Sequence, residues 1–418
     1  LAESALRDGL CDMVMLGRPL LADPQWPNKV YSGRVDEIIP CIGCQEGCLN
    51  EFVEGGHPQC AVNPRTAFED VYPEQLTPAE QPKRIGVVGA GPAGVMLAVT
   101  AARRGHHVQL IEKSGRIGGR LIPGGVPKIK FDVENYRQYL ERLVERTGGE
   151  YDLQFLPGVS ADADWLQEQG YDAVVMAVGS SEFQLKLPGV EQANLVQATE
   201  LLVKPELAAA AKKVVVIGGG VVGCETAFWL RKELDKEVKL VEMTPHIMKG
   251  VCTANRGYLI HYLDEAGVDL LTCTRVTGFE KGGVQVMCNE STTVPDPTVT
   301  WHPILPENVE NPLAPRLKVE EKPLTLPADL VVIAAGGLLL SFGLQKYYNA
   351  RYPMEYRGVI ESYSREYSLP PSFVFAVVHT ESRFDPRAVS EDDARGLMQI
   401  TKDTFDWVLY RMGEEEMD

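Results

Sequence analysis

Short apolar runs that close on a glycine recur along the chain. They are Ile85 to Val88 before Gly89, "DAVVMAVG" ending at Gly179, "KVVVIG" ending at Gly218, and "DLVVIAAG" ending at Gly336. Runs this continuous, without polar alternation, predict strands buried on both faces of parallel sheets. After Gly89 an alanine-rich stretch of helical spacing closes at Gly105 and leads into "VQLIEK"; after Gly218 the same order leads into "EVKLVEM". The pattern therefore predicts α/β units of the strand–glycine turn–helix–strand kind, present twice. Near the start, Asp12 to Leu16 reads as a short apolar strand. Asn289 to Pro327 is rich in Pro, Asn and Glu and reads as an irregular excursion with "TVTWHPIL" as its only strand-like part.

The pattern changes after Gly337. A second strand and helix start are expected there, yet Leu338 to Leu344 is a leucine-rich run leading to Tyr347. Beyond Tyr352-Pro353 the spacing is helical, over Tyr356 to Tyr367 and again from Pro370-Pro371 through Phe373 to Glu381.

Length and charge narrow the function. At 418 residues the chain has room for about three domains. A formal net charge of −17 argues against a nucleic-acid or anionic-membrane surface and favours small, soluble substrates. Nine cysteines without a signal peptide point to a reducing cytoplasm, where clustered cysteines are metal ligands more often than disulfides. The first residue is Leu, and the opening pattern reads as mid-domain, so a chain truncated at its N-terminus is expected.

The glycine turns carry chemistry. Gly89, Gly91 and Gly94 follow a strand and open a helix, and Glu112 ends the next strand, which is the full context of a dinucleotide fingerprint. In it the second glycine admits a pyrophosphate to the helix N-terminus, the third lets helix and strand pack, and the carboxylate takes the ribose hydroxyls. Gly218, Gly220, Gly223 and Glu242 repeat it. Met243 and Thr244 follow Glu242 with no arginine beside it, which favours NADH over NADPH at this second site. Cys224 stands just inside the second helix, where a thiolate can be stabilised, but a packed helix cysteine is the preferred reading. His302 has no second ligand nearby and is read as a surface or packing histidine.

Residues 41 to 60 read "CIGCQEGCLNEFVEGGHPQC", which puts Cys41, Cys44 and Cys48 on one tight loop and lets Cys60 close the site from beyond the Gly55-Gly56 turn. Four thiolates suit a cubane iron–sulfur cluster or a zinc ion, and spacing does not choose between them. With the preceding "DMVMLGRPLLADPQWPNKV" and the following "AVNP", the segment resembles the 2,4-dienoyl-CoA reductase family of flavoproteins, related to old yellow enzyme. The resemblance covers residues 1 to about 337. It implies a [4Fe–4S] cluster on Cys41, Cys44, Cys48 and Cys60, and a (β/α)8 barrel holding FMN, whose phosphate pairs with the Gly17-Arg18 turn. Only the barrel's last unit is expected here, since a whole barrel takes about 250 residues.

"GRIGGRL", Gly115 to Leu121, resembles the second pyrophosphate-side turn of FAD enzymes of the disulfide-reductase type, which assigns FAD to the first glycine site and adds Gly119 and Arg120 to it. In that family the strands ending at Gly179 and Gly336 flank the inserted nucleotide domain. The C-terminal stretch resembles the opening half of the soluble lytic transglycosylase (SLT) domain, through Glu381-Ser382, the loop Ala388 to Ala394 and Gly396-Leu397-Met398-Gln399. There the matching Glu381 is the acid and base that cleaves peptidoglycan. Leu338 to Leu344 resembles the stump of the membrane anchor that precedes exported members.

The expected map has a barrel end at 1–38 and an iron–sulfur segment at 39–80. FAD-binding parts follow at 81–186 and 325–337, an inserted NAD(P)H domain at 187–324, and an anchor stump with a partial, helical, lysozyme-like domain at 338–418. By resemblance, hydride passes from NADH to FAD, and electrons pass through the cluster to FMN and a conjugated C=C of an enoyl or enoate substrate. Two rival readings are a lytic enzyme based on Glu381 and an inactive chimera joined near Gly337.

Overall fold

The computed structural model describes residues 2–53, 57–180, 182, 184–299, 316–334, 378, 382, 384–390, 394–402, 404 and 406. The chain forms two compact units, Leu1–Ala335 and Gly336–Asp418.

The first sheet grows from the predicted fingerprint. β1 (Arg84–Val88), β2 (His107–Glu112), β3 (Leu153–Pro157) and β4 (Ala173–Met176) run parallel in the order β3-β2-β1-β4. The helix Pro92–Arg103 and the long helix Phe131–Glu150 pack beside them. The latter turns Tyr136, Leu140 and Leu143 inward against Val87 and Leu110. Burying an aliphatic side chain such as Leu110 or Leu140, both with no exposed surface, contributes about 1.5–3 kcal/mol.

The second sheet repeats the design. Its chain runs through β5 (Leu195–Gln197), β6 (Lys213–Ile217), β7 (Glu237–Val241) and β8 (Asp269–Leu271). An antiparallel excursion follows as β9 (Thr274–Glu280), β10 (Gly283–Asn289) and β11 (Glu321–Pro327), and β12 (Leu330–Ile333) then returns. The parallel order is β5-β12-β6-β7-β8. The helix Val221–Lys232 contributes Cys224, Ala227 and Leu230 to the core beneath it.

β4 is an edge strand whose Val174 and Met176 are 39% and 58% exposed, where burial on both faces was expected. Three further expectations need correction. Asp12 to Leu16 forms no strand; Met13 and Met15 are 86% and 96% exposed, and no strand among the described residues pairs with them. An apolar run becomes a strand only where a neighbour takes its N–H and C=O groups. Secondly, β12 was expected with residues 325–337 in the FAD part, but it sits between β5 and β6, so it completes the inserted domain's sheet. Thirdly, Glu321–Pro327 is a strand inside the stretch read as irregular. Its Pro323 and Pro327 masked it, and both are tolerated because β11 pairs only on one side, with β10. Most of "TVTWHPIL", Gly336 with the turn around it, and the run Leu338 to Leu344 lie outside the described residues.

Among the described residues no helix is long and apolar enough to cross a membrane. In the second unit Val378 and Phe384 are buried against Leu397. Ser382 Oγ donates to Val378 O (3.1 Å) and Leu397 O (2.9 Å), while Gln399 Nε2 donates to Ala388 O (3.0 Å). The motif residues after Glu381 are thus knit together locally, while Glu381 itself lies outside the described residues.

Candidate functional sites: two glycine loops and a cysteine pocket

At the end of β1 the chain turns through Gly89 and enters the helix Pro92–Arg103, with Gly91 as its N-cap. A Cβ on Gly94 would lie 1.8 Å from Gly89 O, so only glycine lets helix and strand come this close. A Cβ on Gly91 would meet nothing within 4 Å, which leaves open space at the first, unpartnered N–H groups of the helix. Gly218, Gly220 and Gly223 reproduce the arrangement at the helix Val221–Lys232, with the same 1.8 Å approach at Gly223 and the same open space at Gly220.

Each loop is braced by its acid. Glu112 accepts N–H bonds from Ala90 (2.9 Å) and Ser114 (2.7 Å); Glu242 accepts them from Gly219 (2.7 Å) and Thr244 (2.8 Å). Burial alone raises the pKa of Glu112, but the Ala90 and Ser114 N–H groups outweigh it and hold the carboxyl below its ordinary value. The turn carrying Gly119 closes over the first loop, with Gly118 N–H donating to Ala90 O at 2.9 Å. Arg120 reaches away from that loop, to Glu182 (2.8 Å), Ser180 O (2.9 Å) and Thr199 (3.1 Å), and so ties the turn to the segment after Gly179. Cys224 is fully buried and its thiol pKa is pushed up by that burial, so it is the packed cysteine of the preferred reading.

The four clustered cysteines line one pocket with Arg18 and Leu21. Cys48 lies in a wide helical turn, Glu46–Asn50, whose Asn50 N–H reaches back to Gln45 O at 2.9 Å. Gln59 N–H donates to Gly47 O at 2.6 Å, which returns Cys60 to the others; a Cβ on Gly47 would sit 2.9 Å from Gln59 O and block that approach. Gly43 N–H points at Cys41 Sγ at 3.4 Å. Burial raises the Cys41 pKa, with Cys60 and Cys44 adding to the rise, while the Gly43 N–H and the Arg18 cation oppose it. Burial raises the Cys48 thiol as well. Among the described residues no three His, Cys, Asp or Glu side chains converge tightly enough to hold one ion. The four cysteines line one pocket instead, and that donor set, with the Gly43 N–H aimed at the Cys41 sulfur, fits a thiolate-bound cluster.

Residues beyond the motifs hold this pocket. Asp23 is 2% exposed and accepts from Lys29 Nζ (2.7 Å), Gln25 N–H (3.0 Å) and Ile39 N–H (2.9 Å), anchoring the chain just before Cys41. Just after Cys60, Asn63 Nδ2 (3.0 Å) and Thr66 Oγ1 (2.7 Å) both donate to Leu21 O. Sequence reasoning quoted Asp23 and Asn63 inside motifs without giving either a task. The sequence signal for Asp23 is an acid before Pro24 with Lys29 six residues on.

Two parallel sheets, each with a glycine loop at a helix N-terminus and an acid ending the next strand, define an oxidoreductase that handles two dinucleotides. The chain belongs to the pyridine nucleotide-disulphide oxidoreductase family, whose sequence profile matches residues 83–340. Its members are NAD(P)H-dependent flavin oxidoreductases, so membership implies FAD and NAD(P)H binding. A cinnamate reductase of Clostridium sporogenes is 40% identical over 273 residues, which are 65% of this chain and 39% of that protein. An NADH oxidase of Thermoanaerobacter brockii is 36% identical over 292 residues, 69% of this chain and 44% of that protein. The structure of a 2-naphthoyl-CoA reductase with 2-naphthoyl-CoA superposes with a TM-score of 0.68 at 27% identity, covering 80% of this chain and 45% of that one. The chain thus spans less than half the length of these relatives. A second profile, the transglycosylase SLT domain, matches residues 358–418.

Proposed function

We propose that this chain is the electron-input portion of a flavin and iron–sulfur reductase of the 2,4-dienoyl-CoA or enoate type. The observation that carries the reading is a four-cysteine pocket within the same compact unit as two dinucleotide loops. When bound, FAD supplies hydride acceptance from the nicotinamide, and a [4Fe–4S] cluster and FMN supply single-electron transfer toward reduction of a conjugated C=C. The chain's own residues hold and orient. Gly89, Gly91, Gly94 and Glu112, with the Gly119-Arg120 turn, take FAD; Gly218, Gly220, Gly223 and Glu242 take the nicotinamide nucleotide. Gly179, in left-handed backbone at φ 71°, is assigned to cofactor binding as well. Cys41, Cys44, Cys48 and Cys60 ligate the cluster, and Gly17 and Arg18 are assigned to the FMN phosphate, with Arg18 also lining the cysteine pocket.

NADH is the preferred nucleotide. Glu242 sits where a ribose binds, and a 2′-phosphate would bring its charge against that carboxylate. Binding titrations are expected to give NADH an advantage of about tenfold over NADPH, narrowed in Glu242→Ala. Equal affinity of the parent chain for both nucleotides contradicts the assignment.

The SLT match supports a second reading, in which residues 358–418 contribute to peptidoglycan cleavage with Glu381 as acid and base. Release of soluble muropeptides that is lost in Glu381→Gln would establish it, and it requires neither iron nor nucleotide.

A further inference from the structure

Between the inserted nucleotide domain and the cysteine loop lies a set of polar contacts that neither ligand site needs for itself. Asn255 stands in the first turn of the helix Thr253–Ala266, more than two hundred residues from the loop in sequence. Its Nδ2 donates to Cys44 O (2.5 Å) and to Gly43 O (3.3 Å), and its Oδ1 accepts from Gln45 Nε2 (2.8 Å). Glu46 answers from the loop, accepting the Cys252 N–H at 3.2 Å. The amide orientation is fixed by these partners, because a flipped Asn255 would set its oxygen against two carbonyls. Gly43 and Gln45 both hold left-handed backbone, at φ 65° and 60°. For Gln45 that conformation is uncommon, and bonds from a rigid neighbour are what sustain it.

The same helix start is tied to the nucleotide loop. Glu242 accepts the Gly219 N–H, and Gly219 O in turn accepts the Met248 N–H at 2.8 Å. Ile247, Met248 and Cys252 are all at least 96% buried, and Arg256 Nε holds Ile247 O at 3.1 Å. The segment from Glu242 to Asn255 is therefore anchored at Ile247, Met248 and Cys252, while Met243, Lys249 and Gly250 are exposed; the Gly218 loop lies at one end and the Cys44–Gln45 turn at the other.

We propose that Asn255 is a positioning residue that clasps the Cys44–Gln45 turn to the inserted domain, so that nucleotide at the Gly218 loop tightens the cysteine loop. The inference rests on the assignment of nicotinamide nucleotide to that loop. NAD⁺ is the probe, because it occupies the site without supplying electrons.

Hydrogen exchange of the Leu49 and Asn50 amides reads the turn directly, since both donate to Gln45 O. In the parent chain, saturating NAD⁺ is expected to slow their exchange by about tenfold. In Asn255→Ala, exchange is expected to be about tenfold faster and indifferent to NAD⁺, while NAD⁺ still binds. Asn255→Asp keeps the acceptor for Gln45 but loses both donors, and should behave like the alanine variant. Gln45→Ala approaches the contact from the other side and should lose part of the response if the Asn255 variants fail to fold. An unchanged exchange rate and NAD⁺ response in Asn255→Ala overturns the clasp. NAD⁺ that binds the parent without altering these amides overturns it too, whereas a parent chain that fails to bind NAD⁺ overturns the nucleotide assignment beneath it.

Discussion

Anaerobically reconstituted protein is expected to carry about four irons per chain with the brown colour of a cluster, and serine at Cys41, Cys44, Cys48 or Cys60 is expected to abolish both. A serine hydroxyl is a hard, weakly acidic ligand, and a soft iron–sulfide body holds thiolate in preference. The four thiols face one pocket, so losing one leaves an open corner that solvent can attack. The control is Cys288→Ser, because Cys288 lies in β10 against Thr274 Oγ1 (3.3 Å) and should leave the iron untouched. Iron is read by colorimetric assay and by the spectrum of the reduced protein. Stoichiometric zinc without iron, from a preparation kept anaerobic, would contradict the cluster.

Asp23→Ala should be the most damaging substitution outside the cysteines. It removes the charge partner of Lys29, whose side chain is only 15% exposed and keeps the Glu37 carbonyl (2.9 Å), and leaves the Gln25 and Ile39 N–H groups without their acceptor. Breaking a buried ion pair on one side costs about 3–5 kcal/mol, because a charge remains in a poor solvent. The loss falls on the segment that carries Cys41, so iron retention should drop along with stability. Denaturant unfolding and the iron content of the purified variant measure the two effects separately. A cost under about 1 kcal/mol would show the pair to be wet and weak.

The parts of this protein that were legible in its sequence are those whose chemistry is local. A glycine turn between a buried strand and a helix is set by a few neighbouring residues, so Gly89, Gly91 and Gly94 and their repeat at Gly218 could be placed without a structure. The cysteine loop was legible for the same reason. What escaped depends on partners distant in the chain. β12 carries the same kind of apolar run as β4, and only pairing with β5 and β6 assigns it to the inserted domain. β11 was hidden by prolines that an edge position excuses. Asp12 to Leu16 shows the reverse, a strand pattern with no strand to meet it. Asn255 had no signal at all, since an asparagine in a first helical turn is ordinary and its partners lie at Gly43, Cys44 and Gln45.

The central claim is that this chain holds FAD and a nicotinamide nucleotide so that electrons can pass from one to the other. It is tested most directly by NADH-driven reduction of ferricyanide, each NADH giving up a proton and two electrons to two acceptors, with FAD supplied in excess. The parent chain is expected to turn over with saturation in NADH. Gly220→Val should abolish turnover while leaving the fold intact, because a Cβ there meets nothing within 4 Å, leaving the branched side chain to occupy the space assigned to pyrophosphate. Absence of turnover at any FAD concentration, or turnover undiminished in Gly220→Val, would contradict the account.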